Sequence, residues 1–161
     1  MAQPSGNCEK SQSLGFYATS GILNVGMAFS SLLPLVWIGG ARADLSSFPD
    51  EVKDAIGYAL YVAQLGAKHA AAKPLQGFGG AGVLEIVEDH SSGTYRAVYV
   101  ARFAGRIYVL HAFQKKSRSG IKTPKSEMNL VRARLKLAAE IHAEWLKQQR
   151  GGKGSDQGNS D

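Results

Sequence analysis

The 161-residue chain has almost none of the residues that build disulfide scaffolds and thiolate metal sites. Cys8 is its only cysteine, which excludes an internal disulfide and a cysteine-based zinc site. The four histidines are scattered, with no carboxylate or thiol at ligand spacing, so we expect no metal and no other cofactor. Apolar residues make up 44% of the chain, enough for a hydrophobic core and one ordinary domain.

An uninterrupted apolar run of membrane-spanning length is also missing. No charge occurs between Lys10 and Arg42, and residues 21–38 read GILNVGMAFSSLLPLVWI. Two glycines, a proline and three polar residues break this stretch, which disfavours a spanning helix. A secretory signal needs a cationic start, but Glu9 precedes Lys10. We therefore predict no membrane partner and a flexible leader over residues 1–32.

Acidic residues are scarce in one part of the chain. From Gly105 to Arg150, eleven basic residues face three acidic ones, a net charge of +8, whereas residues 1–104 carry −1. The whole chain carries +6, which favours an anionic partner. That partner is expected to meet the residues after Gly105.

The pattern of the remaining residues predicts an α+β domain over residues 33–148, followed by a disordered tail over 149–161. We expect a small, twisted, antiparallel sheet of about four strands with a mixed edge, packed with helices. The predicted strands are Leu33–Ile38, Val83–Glu88, Tyr95–Arg102 and Arg106–Gln114. Helices are predicted between Pro49 and Gly66, over Ala67–Ala72, and from Pro124 onward. The last helix is predicted to turn Met128, Val131, Leu135, Ala138, Ile141 and Trp145 inward.

Two residues within the predicted strands are candidates for chemistry. Arg96 lies mid-strand, on the face opposite Tyr99, and a cation there needs a partner such as Glu85 or an anionic ligand. His111 is the only histidine inside a predicted strand, and imidazole carries protons near neutral pH. A lone strand histidine is, however, more often a hydrogen-bonded structural residue.

Cations interleaved with aromatic residues on neighbouring strands suit an RNA backbone with splayed bases. The candidate RNA-binding residues are Lys73, Tyr99, Phe113, Arg118 and Lys122, beside the basic pair Lys115 and Lys116 that ends the last strand. The cations of the last helix, Arg132, Arg134 and Lys136 among them, are interpreted as an ordinary solvated face.

Residues 84–137 resemble the RelE/ParE toxin superfamily, and most closely its HigB-like branch of phage-related toxins. The motifs that carry the resemblance are LEI at Leu84–Ile86, YRAVY at Tyr95–Tyr99, IYVLHAFQKK at Ile107–Lys116 and KTP at Lys122–Pro124. The strings PLVWIGG, SFPDEV and LQGFGGAG extend it over most of Pro34–Trp145.

The resemblance implies a cytoplasmic bacterial protein, the toxin of a type II toxin–antitoxin pair. Such toxins are commonly endoribonucleases that cut mRNA, usually on the ribosome, and a helix-turn-helix, HigA-like antitoxin encoded beside them holds them inactive. The implied mechanism is metal-free attack of the ribose 2′-OH on the adjacent phosphate. The family motifs put the catalytic cations at Arg96, Lys115 and Lys116, where they would stabilise the phosphorane charge.

One departure from the family pattern leaves the proton acceptor open. Many ribosome-dependent members carry basic residues on the strand that matches Leu84–Glu88, but this chain has Glu85, Val87 and Glu88 there. His111 and Glu85 are the candidates for the acceptor. Two alternatives to the nuclease also remain: a non-enzymatic, ParE-like toxin that blocks DNA gyrase, and an RNA-binding regulatory module.

Overall fold

A computed structural model describes residues 32–115 and 124–151. The helices are α1 (Ala41–Ser46), α2 (Asp50–Gln64) and α3 (Lys125–Gly151). The strands are β1 (Leu35–Trp37), β2 (Ala72–Pro74), β3 (Val83–His90), β4 (Gly93–Val100) and β5 (Ile107–Lys115). The predicted α+β class is confirmed, as a five-stranded mixed sheet with three helices.

Several predictions fall wholly or mainly outside the described residues. These are the flexible leader up to residue 31, the tail from residue 152, and the candidate cations Lys116, Arg118 and Lys122. Helix α3 continues to Gly151, into the segment predicted as tail. No helix within residues 32–115 and 124–151 is long and apolar enough to cross a membrane.

The sheet has the strand order β1-β5-β4-β3-β2, in which β1 runs parallel to β5 and every other pair is antiparallel. The predicted mixed edge is therefore the β1 edge. Strand β1 pairs only with Ile107–Val109. Among the described residues, the second half of β5 consequently has β4 as its only strand neighbour, and its other side is open.

Helices cover both faces of the sheet. On one face, α2 presents Val52, Ile56 and Leu60, each at most 2% exposed, to strand residues that include Ala97 and Tyr99. On the other face, α3 packs Val131 and Ala138 against Val98, Tyr108 and Leu110. The α2 residues stand four apart and the two α3 residues seven apart, spacings that give each helix one apolar face. Burying such an aliphatic side chain contributes roughly 1.5–3 kcal/mol.

The prediction of a short helix over Ala67–Ala72 is wrong. The left-handed Gly66 (φ 80°) follows α2, and the chain then runs as β2 along the edge of β3, where Ala72 pairs with Ile86. A strand of three residues is too short for its side chains to show the two-residue periodicity of β-structure.

The predicted inward face of α3 is correct at Val131 and Ala138 but wrong at Ile141, which is 37% exposed. His142 takes the inward position and is only 7% exposed. It stands four residues after Ala138, directly along the buried stripe, whereas Ile141 lies to one side of that stripe. Hydrophobicity alone favoured the isoleucine.

Candidate active site

Strand register gathers six of the candidate residues on the sheet face that α3 covers. Residues directly opposite each other on neighbouring antiparallel strands point to the same face. One row of paired residues is Lys73, Glu85, Val98 and His111, and the next is Val87, Arg96 and Phe113. Lys115 pairs with Thr94 one row further on.

Tyr99 lies on the opposite face. It is fully buried in the core beneath α2, and its hydroxyl has no hydrogen-bond partner within the described residues. Burial raises the pKa of the Tyr99 hydroxyl. Strand alternation puts Tyr99 with Tyr95 and Ala97, away from Arg96, so its ring offers no surface to a nucleic-acid base.

Arg96 has the carboxylate partner that its position demands. Its Nη1 donates a hydrogen bond to Glu85 Oε2, and the two side chains are 8% and 14% exposed. Removing either partner would leave the other charge buried and uncompensated. The positive charge of Arg96 is therefore balanced, and Glu85 is not a free proton acceptor.

The two other candidate cations within the described residues are more accessible than Arg96. Lys73 is exposed on the edge strand β2, and Lys115 is half-buried at the end of β5. Each lies on the face that carries Arg96.

His111 is the centre of a polar network that joins three elements. It is 6% exposed, and its Nε2 lies 2.5 Å from Glu127 Oε2 of α3. Arg134, also of α3, donates from Nη1 to His111 Nδ1 at 3.0 Å. The same Nη1 donates to the carbonyl oxygen of Leu110 at 2.9 Å. Asp44 Oδ2 of α1 lies 3.7 Å from His111 Nδ1 and 4.0 Å from Arg134 Nη1.

A cleft of about 300 Å³ opens beside this network. Its lining comprises Asp44, Ser47, Phe48, Tyr95, His111, Ala112, Phe113, Gln114 and Glu127. Residues 111–114 belong to the half of β5 that β1 leaves uncovered. The ring centroids of Phe48 and Tyr95 are 4.7 Å apart, and Phe113 stacks on His111 with a centroid distance of 5.1 Å. The cleft thus has aromatic walls, and α1, β5 and α3 each contribute an ionisable side chain to its lining: Asp44, His111 and Glu127.

Sequence reasoning missed three members of the network: Asp44, Glu127 and Arg134. Arg134, interpreted as part of a solvated helix face, has a side chain that is only 16% exposed. A signal was present, because Glu127 and Arg134 stand at i and i+7 and flank Val131 on the inward stripe of α3. Charged residues within an apolar stripe require a buried partner, and His111 is that partner.

In the part of the chain that the structure describes, no three His, Cys, Asp or Glu side chains come together in an arrangement that could hold a metal ion. The network is instead a histidine between one arginine and two carboxylates. Such a set can accept a proton, donate one, and place a positive charge beside a developing anion.

The chain matches a known protein family. The family model described as "Phage derived protein Gp49-like (DUF891)" matches residues 43–136, more than half of the chain. The matched segment runs from α1 into α3 and contains Asp44, Arg96, His111, Glu127 and Arg134. No curated protein matches the chain.

Proposed function

The chain belongs to the phage-derived Gp49-like family, a family of RelE/HigB-like toxin type, and we propose that it is the endoribonuclease toxin of a type II toxin–antitoxin pair. The family is associated with toxin–antitoxin toxins, which suggests an antitoxin as a partner. The proposed substrate is mRNA, cut on the ribosome. The proposed antitoxin is a helix-turn-helix protein of HigA-like type.

The observation that supports nuclease chemistry is the His111 network at the cleft. Cleavage by the ribose 2′-OH needs a group that accepts the hydroxyl proton and positive charge near the phosphate. Glu127 and Arg134 contact His111 at its two ring nitrogens, so both kinds of group meet at one point. The sequence left the acceptor open between His111 and Glu85, and the ion pair of Glu85 with Arg96 argues against Glu85.

The surroundings of the cleft suit a single-stranded RNA. Lys115 is half-buried and follows Gln114, a lining residue. A lysine beside the cleft attracts the phosphate backbone without reading its sequence. A cleft of about 300 Å³ is near the lower end for small-molecule pockets. It would admit one nucleotide, in keeping with cleavage of an unpaired strand.

The direct test is to express the protein without its antitoxin and to examine the host's mRNA. We expect translation to stop, and mRNA fragments to appear with 2′,3′-cyclic phosphate and 5′-hydroxyl ends. Incubating the purified protein with naked mRNA and with ribosome-bound mRNA then measures ribosome dependence. Growth arrest with intact mRNA would refute the nuclease.

The second candidate is a non-enzymatic, ParE-like toxin that blocks DNA gyrase. The Arg96–Glu85 ion pair favours it, because the family's catalytic arginine is here neutralised and buried. Under this alternative the same expression experiment gives a DNA-damage response while mRNA stays whole. A short helix-turn-helix protein encoded next to the chain would support either toxin over a plain RNA-binding module.

A further inference from the structure

We infer that Glu127 is the proton acceptor of the cleft, and that His111 and Arg134 are positioning residues that hold its carboxylate in place. The inference rests on the proposed nuclease function. It assigns the acceptor that sequence reasoning left between His111 and Glu85.

Arg134 fixes the protonation state of the His111 ring. A guanidinium has only donors and stays charged, so the 3.0 Å contact between Arg134 Nη1 and His111 Nδ1 requires an unprotonated Nδ1. The ring proton of a neutral imidazole must then sit on Nε2, where it points at Glu127 Oε2, 2.5 Å away. A doubly protonated ring would instead set a donor against the guanidinium.

Both nitrogens of His111 are therefore engaged. Nδ1 accepts from Arg134, and Nε2–H donates to Glu127, which leaves the ring no lone pair for a substrate hydroxyl. The ring also has little access to substrate, because its side chain is only 7% exposed. Glu127 differs on both counts, since its side chain is 29% exposed, lines the cleft, and His111 contacts only one of its two oxygens.

The contacts of Arg134 fix the His111 ring, and the ring in turn holds one oxygen of the Glu127 carboxylate. Arg134 is tied to the Leu110 carbonyl as well as to His111, so the ring cannot turn without breaking a bond at Nδ1 or Nε2. The charged groups around the ring are Arg134 and Glu127 of α3 and Asp44 of α1. Orientation of this kind lowers the entropy that the reaction must lose.

The proposed step balances without a further reagent. The 2′-hydroxyl gives its proton to the Glu127 carboxylate as its oxygen bonds to phosphorus. The bond between phosphorus and the 5′-oxygen breaks, and the departing oxygen takes a proton from solvent. The products are a 2′,3′-cyclic phosphate and a 5′-hydroxyl.

The ring tautomer can be measured without any RNA. Long-range proton–nitrogen NMR spectra of the full chain at neutral pH should show His111 protonated at Nε2 alone, with its signals identified by their absence from His111→Gln. In Arg134→Gln this preference should weaken. A ring protonated at Nδ1, or at both nitrogens, would overturn the inference whatever the chain does to RNA.

The kinetics of RNA cleavage by single variants then distinguish the proton acceptor from a positioning residue. Glu127→Gln should slow cleavage by about 10²-fold or more and abolish the rise of kcat/KM with pH. His111→Gln should keep that rise and most of the rate, because the glutamine amide can still donate to Glu127. Glu140→Gln, on the exposed side of the same helix, is the matched control and should behave like the parent.

The kinetic outcomes distinguish failure of the inference from failure of the function. If the parent cuts RNA and Glu127→Gln cuts it equally well, or if His111→Gln loses the rise with pH, Glu127 is not the acceptor. If the parent cuts no RNA, with or without ribosomes, the nuclease itself is refuted, and the acceptor role falls with it. Unfolding midpoints of each variant show whether a lost rate reflects a lost fold.

Discussion

The two buried histidines, His142 of α3 and His111 of β5, are buried to a similar degree but have very different partners. His111 is 6% exposed and His142 is 7% exposed. Nevertheless, Arg134 and two carboxylates surround His111 at an open cleft. His142 lies among aromatic rings at the other end of the sheet: it stacks on Phe103 at 5.0 Å, and its Nδ1 is 3.1 Å from the Tyr108 hydroxyl.

Burial does not distinguish these two histidines, whereas their partners do. Desolvation, helped by the charge of Arg106, lowers the pKa of His142, so that its ring stays neutral and packs as an aromatic residue. The ring of His111 makes a charged contact at each nitrogen, next to space that a ligand can enter. Only the second arrangement sets an ionisable side chain, Glu127, beside space that a ligand can enter.

The strongest test of this comparison replaces each histidine by an aromatic residue of similar shape. His111→Phe removes the hydrogen bonds that orient Glu127, and we expect RNA cleavage to fall on the order of 10²-fold. His142→Phe keeps the stacking with Phe103 and should leave cleavage within a few-fold of the parent. Cleavage rates of the two purified variants decide between these expectations. Equal losses in both would mean that His111 acts only through packing.

The next largest effect is expected in the pH dependence of the free energy of unfolding, to which His142 contributes. Because folding lowers the pKa of His142, the unfolded chain binds more protons than the folded one between that lowered pKa and about pH 6.5. The stability that a neutral His142 contributes is thus complete above that pH and is lost as the pH falls. The slope from one such group is at most about 1.4 kcal/mol per pH unit.

Urea denaturation of the parent and of His142→Phe across pH 5–8 measures this contribution. The phenylalanine variant should lose less stability on acidification than the parent does. If the two curves stay parallel throughout, His142 is not the group responsible.

The sequence anticipated the parts of the fold that repeat a pattern. The long helices α2 and α3 and the strands β3, β4 and β5 each carry enough residues for their periodicity to be recognised. Helix α1 and strand β2, with six and three residues, do not, and both were missed. Their positions depend on tertiary contacts, such as the pairing of Ala72 with Ile86.

The candidate site was anticipated less well, and for a physical reason. Alternation along β4 put Arg96 opposite Tyr99, and the need to compensate its charge indicated Glu85; the structure has both. The network of Asp44, His111 and Glu127 comes from three separate elements of the chain. No spacing rule links such residues, because only the packing of α1 and α3 against β5 brings them together.

The smallest expected effect concerns the packing around Trp145, at the end of the sheet that holds His142. Gly105 (φ 82°) turns the chain between β4 and β5, and a methyl group there would lie 3.1 Å from Trp145 Cη2. Gly105→Ala should therefore reduce the free energy of unfolding by about 1 kcal/mol, through left-handed strain and crowding of the ring. Gly57→Ala is the control, since a methyl group inside α2 meets no atom within 4 Å and should add roughly 0.5–1 kcal/mol. Urea titration measures the free energy of unfolding of both variants. If Gly105→Ala leaves that free energy unchanged, Trp145 can move aside, and the packing around Trp145 and His142 is looser than the structure shows.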